Sequence, residues 1–256
     1  MRAIILLTIL LFSATHAFAA SPRLLFDQGH RQAFLIENDG PLQLQDLATV
    51  FRQQGWQVES SSDKLTAERL SGVDALIISG AFAPLDRNEV AAVLAFLQQG
   101  GQLAVMLHIG APLASLLQPL GVEIGNLAIN ESQNQPDGKT LNFTVTDLQQ
   151  HPLTSGLERF TIYGGWPLRS QNPEDIVVAS SSPHSWVDVN RDQRLSDGDV
   201  MSPFAVLISG KYGRGSFAVF ADDAIFQNRF LQGGNRTLAE NLGRWFKSKG
   251  NGQVEI

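Results

Sequence analysis

Unbroken apolar runs alternate with amphipathic stretches through the first hundred residues. Arg23-Leu24-Leu25-Phe26-Asp27 reads as a strand that runs into the polar loop Gln28-Gly29-His30. Leu44, Leu47, Val50 and Phe51 recur at helical spacing, and Gly55 stands where such a helix stops. Residues 57–59 form a short strand candidate. Residues 74–80 hold Ala75-Leu76-Ile77-Ile78, the continuous apolar pattern of a strand buried on both faces. Asp86 and Glu89 have capping-box spacing ahead of Val90, Val93, Leu94 and Leu97, and Gly100-Gly101 closes that helix. Residues 103–107 give the next buried strand. This β-α-β-α-β order with short connections predicts an α/β fold with a doubly wound, mainly parallel sheet.

From Gly125 the pattern changes. Short strand candidates at 141–145, 160–163, 176–179 and 184–189 are separated by Gly, Pro, Asn and Asp, and helical periodicity is poor. Regular order returns with strands at 204–209 and 216–221. An amphipathic helix at 235–247 follows, carrying Leu238, Leu242, Trp245 and Phe246, with Arg244, Lys247 and Lys249 toward its negative end. The expectation is one domain with a strand-rich insertion in its second half. At the amino terminus, Arg2, the apolar run 3–12 and Ala17-Phe18-Ala19 have the three parts of a secretory signal. The run is short of the about 20 residues a bilayer crossing takes. Cleavage after Ala19 predicts a signal peptide over 1–19, a single domain over 20–256 and a periplasmic or secreted product not integral to the membrane. A retained anchor is the alternative.

Composition narrows the chemistry. The 256 residues carry 19 Lys+Arg against 25 Asp+Glu, a net charge of −6, which argues against a basic nucleic-acid-binding face. The chain has no cysteine, so disulfides, thiolate metal sites and a cysteine nucleophile are excluded.

Four features form a series: the β-α-β-α-β start, Gly100-Gly101 before a strand that ends at Gly110, the segment His151-Pro152-Leu153-Thr154-x-Gly156, and Tyr212-Gly213-x-Gly215 leading to Phe220-Ala221-Asp222-Asp223. The series resembles the class I glutamine amidotransferase-like superfamily, in particular its non-amidotransferase branches, DUF4350 and the related trehalose-utilisation-type domains. The resemblance spans about residues 23–246. It implies a flavodoxin-like three-layer sandwich with a mainly parallel central sheet. Where amidotransferases carry a Gly-x-Cys-x-Gly elbow, this chain reads Leu107-His108-Ile109-Gly110-Ala111. Thioester chemistry is therefore excluded.

Loops after the carboxyl ends of parallel strands converge on one edge, where such folds bind ligands. Asp27, His30, His108 and Asp222 follow three of those strands and are candidate acid–base or metal-ligating groups. Loop residues that cap amides are the competing account. His151 lacks a second ligand at zinc spacing, and Pro152 and Gly156 give its segment a structural reading. Trp166 behind Gly164-Gly165 could stack on a sugar or sit in the core. The most specific local signal lies at 188–199. Asp188, Asn190 and Asp192 occupy positions 1, 3 and 5 of a calcium loop, Arg194 offers its carbonyl at 7, and Ser196 and Asp199 stand at 9 and 12. Gln193 in place of glycine at position 6, Asp199 in place of glutamate and flanking strands depart from the helix-flanked motif. A solvated acidic turn is the alternative. These readings predict an exported, non-catalytic binding or accessory protein with calcium as its cofactor. Its partner would be a small molecule, a carbohydrate or a cell-envelope protein. A hydrolase or sugar-active enzyme built on the Asp and His residues is the rival.

Overall fold

The computed structural model describes residues 21–250. The expected leader lies outside them. The first half builds β1 (Arg23–Asp27), α1 (Gln45–Gln53), β2 (Gln57–Ser61), β3 (Ala75–Ser79), α2 (Arg87–Gln98) and β4 (Gln102–Met106). All five residues of β3 and all five of β4 are buried, as their apolar runs require. The predicted capping box forms: Asp86 accepts from the Asn88 and Glu89 amides, and the Glu89 carboxylate accepts from the Asp86 amide.

After β4 the chain makes the single-turn α3 (Ala114–Leu117) between 3-10 turns that hold Pro112 and Pro119. No apolar period marks this segment. Strands β5 (Val122–Ile124), β6 (Ile129–Glu131), β7 (Asn142–Val145), β8 (Asp147–Leu148), β9 (Phe160–Tyr163), β10 (Leu168–Ser170), β11 (Ile176–Ser180), β12 (Ser185–Val187) and β13 (Val200–Met201) form the strand-rich middle. The chain closes with β14 (Ala205–Tyr212), β15 (Gly215–Phe220) and α4 (Gly233–Gly250). The strand expected over 184–189 is shorter because Asp188 starts a loop. The last helix begins two residues earlier than its apolar pattern shows.

The large sheet runs β2-β1-β3-β4-β15-β14-β10-β5, with β11 on β14 and β8 on β11. Its pairs are parallel from β2 through β15 and antiparallel beyond. The change of direction has a local cause, since Tyr212-Gly213-Arg214-Gly215 joins β14 to β15 by a tight turn that only antiparallel partners allow. Gly213 has φ +60°, and a Cβ on Gly215 would run into the carbonyl oxygens of Gly101 and Leu97. The Gly-x-Gly motif is thus a packing requirement. Strands β13-β12-β6 and β7-β9 make two small separate sheets. The architecture is mixed α/β with a large central sheet, parallel in its first half and antiparallel in its second. Helix α4 lies along α1, with Trp56 Nε1 and Gln54 Nε2 donating to the Gly243 and Glu240 carbonyls. Among the described residues, no helix is long and apolar enough to cross a membrane.

Candidate functional site

The parallel strands end together. Gly80 N bonds to Met106 O, Leu107 N to Phe220 O and Asp223 N to Leu107 O, so the residues after β3, β4 and β15 form one ledge. On it, His108 Nδ1 lies 3.0 Å from Asp223 Oδ1. The hydrogen bond to Asp223 first, and its charge with that of Asp222, raise the His108 pKa above its ordinary 6.5 against the opposing effect of burial. The imidazole is 36% exposed whereas Asp223 is buried. Phe34 and Phe82 flank the ring, with centroids 5.2 and 5.0 Å away. An Asp that orients a half-exposed His is a competent proton-handling pair.

Asp223, and not Asp222, is the partner of His108. Asp222 faces the protein, accepting from the Tyr163 amide at 2.6 Å and the Ala224 amide at 2.9 Å. Burial, and then the neighbouring Asp223 charge, push its carboxyl up to about 8. The other two candidates belong to a second cluster. His30 Nδ1 is 2.8 Å from Asp27 Oδ2, and its Nε2 is 3.2 Å from Glu89 Oε1. Asp27 also receives Gln32 Nε2 at 2.5 Å and the Gly29 amide. Asp27 and His30 are buried, and their polar atoms are turned on one another. The four sequence candidates therefore do not form one constellation. Glu89, Phe34, Phe82 and Gly80 were not singled out as site residues. Glu89 was legible only as a helix cap, and nothing local marks the two phenylalanines.

A cavity of about 870 Å³ opens beside the ledge, lined by Ile109, Gly110 and Ala111 after β4, by Val122 and Ile124 of β5, and by Trp166. Trp166 Nε1 donates to the His108 carbonyl at 3.0 Å, which fixes the indole between cavity and dyad. Ser115, Gln118, Glu123, Asn126 and Gln171 add polar side chains to the same wall. His151 caps the 3-10 turn Pro152–Thr154 and touches Trp245, as the structural reading of its segment expects.

The 188–199 loop joins β12 to β13. Carboxylate oxygens of Asp188, Asp192 and Asp199 lie within 4.8 Å of one another. Asn190 Nδ2 and Ser196 Oγ both reach Asp192 Oδ2, at 3.3 and 2.9 Å, and the Arg194 amide donates to Asp192 Oδ1. Gln193 has φ +63°, the left-handed conformation that glycine takes at position 6 of a calcium loop. The substitution that weakened the sequence match is thus accommodated by the backbone. The hairpin is anchored by Glu131, fully buried at the end of β6, which accepts from the Ser182 and Ser185 hydroxyls and the Ser132 and Gln133 amides.

This architecture recurs in solved structures. The N-terminal domain of mmIFT52 superposes with a TM-score of 0.73 at 19% identity, covering 91% of this chain and all of that one. A protein described as ThuA-like from Bacteroides uniformis gives 0.56 at 18% identity over 93% of this chain and 96% of its own. Another, from Parabacteroides merdae, gives 0.54 at 9% identity over 93% and 92%. The class of protein is therefore a mixed α/β domain that shares its fold with proteins described as ThuA-like. The chain belongs to the DUF4350 family, a domain of unknown function whose profile matches residues 36–242. No curated protein matches the sequence.

Proposed function

We propose that this is an exported binding or accessory protein on a flavodoxin-like three-layer sandwich, with a small-molecule or carbohydrate ligand seated against Trp166. The strand order β2-β1-β3-β4, the doubly wound order of flavodoxin-type sheets, supports the fold reading. The cavity of about 870 Å³ beside the β4 loop, where the apolar side chains of Trp166, Val122 and Ile124 meet the polar groups of Gln118, Glu123 and Gln171, carries the ligand reading. The test is Trp166 fluorescence against a panel of neutral monosaccharides and disaccharides and of free amino acids. At least one class is expected to give a saturable change that Trp166→Ala removes, and a flat response across the panel would refute the reading. The His108–Asp223 pair favours one rival, water activation by His108. Hydrolysis of 4-nitrophenyl glycosides or esters that rises with pH through the His108 titration and vanishes in His108→Ala would put the enzyme first.

The calcium reading is part of the same proposal. Three carboxylates held within 4.8 Å repel one another, and a hard divalent cation in a flexible oxygen cage relieves that repulsion. Asp188, Asn190, Asp192, Asp199, the Arg194 carbonyl and Ser196 would supply the oxygens. The protein purified from a periplasmic extract, with its amino terminus near Ala20 as export requires, should melt about 2–4 °C higher in millimolar calcium. Magnesium should do less, and Asp188→Ala with Asp192→Ala should abolish the shift. An intact leader in the membrane fraction would overturn the export reading. An unchanged melting temperature in several millimolar calcium would return the loop to an acidic turn.

A further inference from the structure

The buried histidine that the candidate site leaves unused lies between two carboxylates. We propose that His30, held as an imidazolium between Asp27 and Glu89, is a pH-sensitive clasp that keeps Phe82 closed on His108. A neutral imidazole has one N–H, so one of its nitrogens would face a carboxylate lone pair to lone pair. Only the doubly protonated ring donates both at 2.8 Å to Asp27 and at 3.2 Å to Glu89. Neither carboxylate can turn away. Asp27 is held by the Gly29 amide and Gln32, and Glu89 by the Leu65 and Asp86 amides. The next charged groups on that side, Lys64 and Asp86, are paired with each other at 2.6 Å and exposed.

The clasp is tied to Phe82 through the backbone. The His30 carbonyl accepts from both the Phe82 and Ala83 amides at 3.0 Å. The Gln32 side chain closes the loop on itself by accepting from the His30 amide at 2.7 Å. Between them, Arg31 is exposed with φ +60°, a conformation that a non-glycine residue adopts only when its surroundings impose it. Loss of the ring proton leaves one carboxylate without its donor and lets Arg31 relax. The His30 carbonyl then shifts away from residues 82–83, and Phe82 withdraws from His108.

Burial lowers the His30 pKa, but the hydrogen bonds and charges of Asp27 and Glu89 outweigh it and raise it above the ordinary 6.5. The clasp is therefore complete below that value and is lost as pH rises through the folded-state pKa.

Side-chain ¹⁵N NMR of the histidines and amide exchange across a pH series test this together. At pH 6.5 both His30 ring nitrogens should carry protons. Above it, the protection of the Phe82 and Ala83 amides, corrected for intrinsic exchange, should fall about tenfold or more in step with the ring titration. The Asp223 amide should stay protected. Glu89→Gln, which keeps an oxygen acceptor but removes the charge, should move the titration and the loss of protection together to lower pH. The wild-type series decides the matter by itself if that variant does not fold. A His30 ring that is neutral at pH 6.5, or protection at Phe82 and Ala83 that ignores the titration, would overturn the clasp.

Discussion

Gly80→Ala is expected to destabilise the protein by about 2–4 kcal/mol and to uncouple His108 from Asp223. Gly80 follows β3 with φ +60°, a conformation that costs an L-residue about 1–2 kcal/mol. A Cβ built there stands 2.5 Å from Asp223 Oδ2 and 3.2 Å from Phe34 Cδ2. Asp223 has little room to retreat, because its other oxygen holds His108 and its amide is bonded to Leu107. Asp223 Oδ2 is itself buried with no hydrogen-bond partner among the described residues, so the glycine leaves room for an oxygen that nothing else tethers. Gly138→Ala separates the two contributions. Its φ is +74°, yet nothing lies within 4 Å of the added Cβ, so only the conformational penalty applies. Urea unfolding should show the larger loss at Gly80, and the His108 pKa in that variant should fall back toward 6.5. Equal losses in the two variants would mean that Asp223 yields freely and that the dyad is not rigid.

The outcome at Asp222 and Asp223 shows where sequence reading reaches its limit. The strands that carry the ledge are legible because their apolar runs are continuous, and β3, β4 and β15 are buried throughout. Which acid after β15 meets His108 depends on where the chain leaves the extended conformation. The strand ends at Phe220, the chain bends at Ala221, and Asp223, with φ −87° and ψ −24°, leads into the 3-10 turn Ala224–Phe226. No local residue preference distinguishes that turn from one beginning a residue earlier. The gathering of Asp188, Asp192 and Asp199 is legible for the opposite reason: all three fall within twelve consecutive positions of one loop, so the short chain between them keeps their carboxylates close. Asp27 and His30 stand three positions apart after β1 and meet at 2.8 Å, a contact that their spacing allows. Their third partner, Glu89, was assigned to helix capping, which it also performs with its other oxygen. One carboxylate closing both a local motif and a distant cluster cannot be read from spacing.

Glu131 belongs to the same class of hidden residue, and its removal is expected to have the largest effect. Its four donors are two adjacent amides and two serine hydroxyls, and the serines lie 51 and 54 positions away. Glu131→Ala would leave the buried Ser185 hydroxyl and the part-buried Ser132, Gln133 and Ser182 donors without their acceptor and loosen β6 from the start of β12. A loss of about 3 kcal/mol is expected, since the buried Ser185 hydroxyl carries the full cost of about 1–3 kcal/mol for an unsatisfied donor and the three part-buried donors, which water can partly reach, add smaller shares. Glu131→Gln should lose much less. Its oxygen can serve the two amides while its NH2 faces the hydroxyls, which are free to rotate and accept. The two variants also separate by pH. Burial raises the Glu131 pKa, but the Ser182 hydroxyl, the Gln133 amide, the Ser185 hydroxyl and the Ser132 amide outweigh it and hold the carboxyl below its ordinary 4.5. Its contribution is therefore present in full above that value and is lost as pH falls through the folded-state pKa. Urea unfolding across an acid series should show that limb in the wild type and not in Glu131→Gln. Because β12 leads directly into the 188–199 loop, Glu131→Ala should also weaken the rise in melting temperature proposed for calcium, while Glu131→Gln should keep it. An alanine variant as stable as the wild type would mean that β12 is held by its strand pairing alone.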